Sequence, residues 1–364
     1  MLTERITGPM ELESALLEVH RAEGATLGTF FGCTLPARFG SVESEYRAAR
    51  ETAILSDTNY HAVFRFEGPD RARYLNAVLT SDVKSLTPGQ GTVGLLLNAQ
   101  GHILAEIETL ALEDSILAIT HAMVGAATFA HLEKFIIMDD VTPTDLSASL
   151  GSVAVSGPHL AELILALTGV NLGALAVHAH VQATLGTIPC RIVRRPFPGA
   201  ELFVERERVG ELWTVLRASI AALGGSRIGY DAINVLRLEA GMPWFGVDFD
   251  EKQIPHEAGL EESHINYSKG CYTGQEIVER VRSRGQVNRR RVGLRFDGAA
   301  VPEAGAKLLA GGAEVGNVTS AAYSFAAECA IGMGYLRREH TTPGRQLQWS
   351  GGTAEVIELP LTKK

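Results

Sequence analysis

Lys269-Gly270-Cys271-Tyr272-Thr273-Gly274-Gln275-Glu276 sets a thiol between two glycines, with a lysine just upstream and the apolar pair Ile277-Val278 beyond. The glycines open backbone angles closed to other residues and leave little bulk over the sulfur. The residues from Gln275 to Val281 favour a helix, whose free N-terminal N–H groups would point back towards Cys271. Lys269 adds a second positive contribution. Both effects favour the thiolate, so Cys271 and Lys269 form a candidate catalytic pair with Cys271 as nucleophile or ligand. His256, Glu257 and His264 lie close upstream, but their spacing with Cys271 matches no familiar metal site, and none is assigned. Downstream come Arg280, Arg282, Arg284, Arg289, Arg290, Arg291 and Arg295, a basic run that is either a solvated surface or an electrostatic seat for an anion, such as a carboxylate tail or an RNA backbone.

The flanking chain supplies the elements that must hold this loop. A helix is expected over Glu43–Leu55 with Ser41 as its cap, followed by a strand over His61–Phe66, a Gly68-Pro69 break and a helix over Arg71–Leu79. The same order returns later: a strand at Val153–Ser156, Gly157-Pro158, and a helix over Leu160–Leu167. Between the copies, Gly94–Asn98 and Ile103–Leu112 read as a hairpin, followed by a strand at Ser115–Thr120 and a helix around Val124–Ile137. Single strands are expected at Ala183–Val193 and Glu201–Glu205, helices at Arg208–Leu223 and Tyr230–Glu239, and a linker at Gly241–Tyr267. From Arg291 onward short strands between Gly and Pro turns suggest a small barrel. The fold class is therefore α+β, with domains at 1–145, 146–288 and 289–364.

Composition bounds the rest. The chain has 364 residues, 46% hydrophobic and 21% charged, more than one core usually organises. No apolar run is long enough for a membrane helix, and the N-terminus lacks signal-peptide character, so a cytoplasmic location is the default. The four cysteines form no C-x-x-C pair, which argues against a disulfide framework or a stably owned cluster. A net charge of −9 argues against wholesale nucleic-acid binding.

The eight-residue loop resembles the signature of the YgfZ-type folate-binding proteins, the iron–sulfur maintenance and tRNA-modification branch of the glycine-cleavage T-protein (aminomethyltransferase) superfamily. Asp82-Val83, Leu86-Thr87-Pro88-Gly89, Leu97-Asn98, Leu236-Arg237-Leu238-Glu239-Ala240-Gly241, Gly316-Asn317-Val318-Thr319-Ser320 and Gly332-Met333-Gly334-Tyr335 resemble further landmarks of that superfamily. The resemblance implies three domains around a central folate cavity, with tetrahydrofolate or a one-carbon derivative as cofactor. It also implies a cysteine tied to function, and iron–sulfur client enzymes or cluster-assembly proteins as partners. Gly199-Ala200-Glu201-Leu202 matches the stretch whose glutamate grips the pterin, a role suited to a carboxylate because it accepts paired N–H bonds. Arg237 and Asn98 join the implied folate-binding set. Aminomethyltransferases carry Gly-Gly-Ile-x-Asp-Asp, whose aspartate organises methylene transfer; this chain has Gly101-His102-Ile103-Leu104-Ala105-Glu106. The first aspartate is Ala105, which leaves Glu106 as a longer substitute carboxylate. On that ground an accessory folate-binding role in iron–sulfur cluster assembly or repair ranks first, and aminomethyl transfer to tetrahydrofolate is the alternative.

Overall fold

The computed structural model describes residues 12–196, 199–285, 287–298 and 300–361. The N-terminal segment contains β1 (Leu12–Glu13), α1 (Leu17–Ala22), β2 (Thr26–Phe30), β3 (Cys33–Arg38), α2 (Val42–Glu51) and β4 (Ile54–Asp57). Ser41 caps α2 as its residue type dictates, its hydroxyl accepting from Ser44 N at 3.1 Å.

The first repeat unit comprises β5 (His61–Glu67), α3 (Arg71–Val78), β6 (Gly91–Leu97), β7 (Ile103–Ala111), β8 (Ser115–His121), α4 (Ala122–Lys134) and β9 (Thr142–Asp145), with strand order β6-β7-β8-β5-β9. The second comprises β10 (Leu150–Ser156), α5 (Leu160–Thr168), β11 (His180–Leu185), β12 (Ile188–Arg194), β13 (Ala200–Glu205), α6 (Val209–Ala222) and β14 (Ser226–Arg227), with order β11-β12-β13-β10-β4-β14. Five positions correspond, but the place beside the opening strand is filled by β9 in one sheet and by β4, from the N-terminal segment, in the other. A cut at residue 145 therefore separates β4 from the sheet that uses it. The stretch 183–193, expected as one strand, is the hairpin β11–β12, because Gly186 at φ +61° turns the chain.

Both units turn from strand to helix on the same device. Gly68 (φ +100°) and Gly157 (φ +110°) bring the backbone so close to Asp140 and Thr52 that a Cβ would lie 2.2 and 2.4 Å from their carbonyl oxygens. The two sheets pack face to face through Val63, Leu110, Leu117, Ile119, Val193 and Phe203. Helices cover the outer faces, α3 and α4 through Tyr74, Leu75, Val78 and Leu132, α5 and α6 through Leu163, Ile164, Leu212 and Trp213. Non-directional burial of these side chains is the main stabilising contribution.

Beyond α7 (Tyr230–Glu239), the expected linker 241–267 is instead packed structure. It includes α8 (Pro255–Ala258) and buries Phe245, Phe249, Ala258, Leu260 and Ile265. Its apolar residues follow neither a strand nor a helix period, so pattern reading cannot place them. Helix α9 (Gln275–Arg284) then leads to a closed barrel of β15 (Arg289–Phe296), β16 (Lys307–Ala310), β17 (Ala313–Ser324), β18 (Cys329–Arg337), β19 (Gln346–Trp349) and β20 (Gly352–Ile357), ordered β15-β18-β17-β16-β19-β20. Buried Asp248 joins linker, helix and barrel: one carboxylate oxygen accepts from Thr319 (2.6 Å) and Ser320 (2.5 Å), the other from Arg237 and from Trp244 N. No helix among the described residues is long and apolar enough to cross a membrane.

Candidate functional site

Where the inner faces of the two sheets diverge they leave a cavity of about 200 Å³. Its wall includes Glu106 and Glu108 from β7, Glu201 from β13, Arg195 after β12, and an aromatic side of Tyr60, Tyr230 and Trp244. Strand parity explains the carboxylates. Ala105 and Ile107 point into the helix-covered core, while Glu106 and Glu108 point into the cavity. This corrects the inference drawn from Ala105: residue 105 faces away from the cavity, and its lack of a carboxylate removes nothing from the site.

Each carboxylate has a partner. His264 Nε2 lies 2.9 Å from Glu106 Oε1. Burial alone would raise the Glu106 pKa, but the hydrogen bond and charge of His264 are the main opposing effects, and the pKa stays below the ordinary range. Glu108 Oε1 meets His178 Nδ1 at 2.6 Å, and Glu108 Oε2 accepts from Arg195 Nη1. His178 reaches it from a left-handed backbone conformation (φ +66°) that a histidine adopts at some cost. Glu201, 2% exposed, accepts at Oε1 from Ser152 Oγ (2.7 Å) and at Oε2 from Arg195 Nε (2.8 Å); Arg195 Nη2 lies 2.7 Å from Oε2 and His61 Nε2 3.0 Å from Oε1. Burial opposes ionisation of Glu201, yet the charges of His61 and Arg195 and the Ser152 bond hold its pKa well below the carboxylate range.

The aromatic part of the wall is neutral. His121 lies between Tyr60 (centroids 5.6 Å apart) and Phe245 (5.3 Å). Burial pulls its pKa down to about 4 despite the opposing Glu106 charge, so the ring is uncharged at pH 7. Burial also raises the Tyr60 and Tyr230 phenols, which keeps both protonated.

The six residues singled out from the sequence divide evenly. Glu201, Glu106 and Arg237 line the cavity; Asn98, Lys269 and Cys271 do not. Arg237, 0% exposed, pairs with Asp248 rather than with Glu239 or Asp231, donates from Nε to Asn234 Oδ1 (2.9 Å), and stacks 4.5 Å from the Trp244 ring. Asn98 closes the β6–β7 turn, its Oδ1 accepting from the backbone N–H of Gln100 and His102, each at 3.0 Å. Lys269 is a clamp for the loop. Its ammonium donates to the carbonyls of Asn76, Leu79 and Ser81 at the end of α3, and burial lowers its pKa to about 8. Cys271 is exposed on the loop that α9 lays against the β6–β7 turn, where the Cβ position of Gly101 is 2.9 Å from Ile277.

The arginine run is also spoken for. Arg282 pairs with Glu279 and stacks 4.2 Å from the Tyr267 ring, and Arg289, Arg290 and Arg295 pair with Glu257, Glu261 and Glu355. Arg291 donates to the Ala258 carbonyl. The bonds of Arg289, Arg290 and Arg291 fasten the barrel to α8 and its loop, while those of Arg282 and Arg295 stay within α9 and the barrel, so most of the run is not a free anion seat. The residues missed from the sequence were Arg195, Glu108, His178, His61 and His121. Only Glu108 had a legible signal, its place two residues from Glu106 on one strand face.

The sequence matches the family model described as the GCVT N-terminal domain over residues 16–264, and the glycine cleavage T-protein C-terminal barrel domain over residues 289–363. An aminomethyltransferase of Streptomyces coelicolor is 30% identical, the match covering 96% of this chain and 97% of the relative. One of Halothermothrix orenii is 27% identical, covering 96% and 99%. The solved structure of glycine cleavage system aminomethyltransferase T from Bartonella henselae superposes with a TM-score of 0.87 at 24% identity, covering 97% of this chain and 99% of that one, so the fold is shared. On the strength of both matched domains and the full-length relatives, the chain belongs to the glycine-cleavage T-protein family.

Proposed function

We propose that this chain binds a reduced folate with its pterin ring in the central cavity, and that it performs aminomethyl-type one-carbon transfer to tetrahydrofolate. The observation that carries the proposal is the convergence of Glu106 and Glu201, from different sheets, on one aromatic-walled cavity. The cavity is smaller than the roughly 300–1,000 Å³ of a typical ligand pocket, which suits a ring system with the tail left outside. Glu201 and the aromatic wall would hold the ring, and bound tetrahydrofolate supplies the nitrogens that take up the one-carbon unit. Glu106, kept ionised by His264, is the carboxylate available to hold or pass a proton. Full-length similarity to aminomethyltransferases supports this order of readings.

Calorimetric titration of tetrahydrofolate into the wild type and Glu201→Ala tests binding; loss in the variant is expected, and equal binding by both would remove Glu201 from the site. Formation of 5,10-methylenetetrahydrofolate tests turnover. Glu106→Gln is expected to lower the rate about 10²-fold or more at unchanged affinity, and a rate equal to wild type would exclude the carboxylate as proton carrier.

A second reading is favoured by one observation, the exposed Cys271 outside the cavity wall. In that reading the chain is a folate-binding accessory protein of the YgfZ type, whose loop thiol meets iron–sulfur client or cluster-assembly proteins. Repair of a damaged cluster in a client enzyme, lost in Cys271→Ala while methylenetetrahydrofolate formation stays absent, is the outcome that would put this reading first.

A further inference from the structure

Arg195 stands where a ligand would have to bind. Its Nε donates to Glu201 Oε2 at 2.8 Å and Nη2 lies 2.7 Å from the same oxygen, while Ser152 and His61 lie against Oε1. The guanidinium thus holds one oxygen of the carboxylate at the back of the cavity and Ser152 the other, so a ligand that pairs with Glu201 must displace the guanidinium. The third nitrogen, Nη1, donates to Glu108 Oε2. One guanidinium thus joins two buried carboxylates, one from each sheet.

The donor set is chemically specific. Two N–H groups on adjacent nitrogens of a guanidine are the pattern that the 2-amino-pyrimidin-4-one edge of a pterin presents, since that edge is a cyclic acylguanidine. We propose that Arg195 is a specificity-determining residue: it occupies Glu201 as an internal substitute for the ligand's guanidine edge, and a ligand enters by replacing it there while Arg195 stays paired to Glu108. This rests on the reading of Glu201 as the pterin anchor. Three consequences follow from charge and hydrogen bonding. A ligand lacking paired N–H donors cannot compensate Glu201 for the lost guanidinium and is rejected. A ligand with them exchanges like for like. Glu108 is the seat that keeps the released guanidinium from being a buried, unpaired charge, so it lowers the cost of release.

The exchange gives opposite signs for two variants, which a purely structural clamp would not. Titration calorimetry with tetrahydrofolate and with the bare edge, 2-amino-6-methylpyrimidin-4-one, is run on the wild type, Arg195→Met, Glu108→Gln and Glu201→Gln, with melting curves for each. Arg195→Met is expected to bind both probes about tenfold tighter, because the competitor is gone, and Glu108→Gln about tenfold weaker, because Arg195 then depends on Glu201 alone. Glu201→Gln is expected to bind neither. Unchanged or weaker binding by folded Arg195→Met overturns the proposal, and if that variant does not fold, equal or tighter binding by Glu108→Gln overturns it. Tetrahydrofolate bound equally by wild type and Arg195→Met, yet lost in Glu201→Gln, would leave the folate reading standing and end this one. The bare edge bound by Arg195→Met, with tetrahydrofolate bound by no form, would keep the exchange and end the folate reading. Binding of neither probe by any form overturns both.

Discussion

The two sheet units follow the same path, but their hairpin turns meet different surroundings. At the β6–β7 turn Gly101 is covered by α9, where a Cβ would touch Ile277; at the β11–β12 turn a Cβ on Gly186 would meet nothing within 4 Å. The fourth strands diverge as well, β8 ending at His121 in the cavity wall and β13 at exposed Glu205. Repetition therefore supplies the scaffold, and departures from it supply the site. The first unit carries the chain from 260 to 278, which brings His264 to Glu106 and seats the Cys271 loop. The second unit leaves its turn bare and contributes the Arg195–Glu201 pair instead.

Substitutions test how far the two units are equivalent. The largest effect is expected where the units agree: Gly68→Ala and Gly157→Ala should each cost about 3 kcal/mol or more, since the added carbon meets rigid backbone at a positive φ. Similar losses in denaturant midpoint would confirm equivalent turns, and a neutral result at either would break the equivalence. Next comes the pH response of His121. Its folded pKa is depressed, so the unfolded chain binds the extra proton as pH falls from about 6.5, and the penalty is complete near pH 4, up to about 3 kcal/mol. His121→Phe should flatten the loss of stability across that window, whereas an unchanged slope would assign it to His180, also held near 4 by burial. Gly101→Ala should cost about 2 kcal/mol and Gly186→Ala about 1, the excess being contact with Ile277; equal costs would mean that α9 yields freely. The smallest effect is Cys271→Ala, within about 0.5 kcal/mol, while the native thiol should react with a disulfide reagent faster than buried Cys33 or Cys190. Slower modification of Cys271 than of Cys190 would contradict the exposure of the loop.

Much of this was legible one element at a time. Alternation located β5, Ser41 announced α2, and the two Gly-Pro breaks marked the repeat, because each depends on neighbours in sequence. Glu201 and Glu106 stood out through local motifs. Arg195 did not, since its bond to Glu108 spans 87 positions and no local pattern encodes it. Lys269 was misread because adjacency in the chain does not fix direction in space: its amine points to the end of α3, away from the role assigned beside the thiol. Ala105 was misread through parity, a single-residue shift that exchanges core for cavity.

The borrowed strand β4 carries a consequence for how the chain is made. Synthesis delivers β4 first, then the whole first unit, and only afterwards β10, to which Ile54–Asp57 pair. The first sheet can close on its own residues while the nascent chain lengthens, but β4 remains an unpaired edge until the ribosome has passed residue 156. The second sheet closes late, across an already folded neighbour, because β4 pairs with β10 and β14, both far downstream in sequence. In that interval the waiting edge can pair with a strand of another molecule.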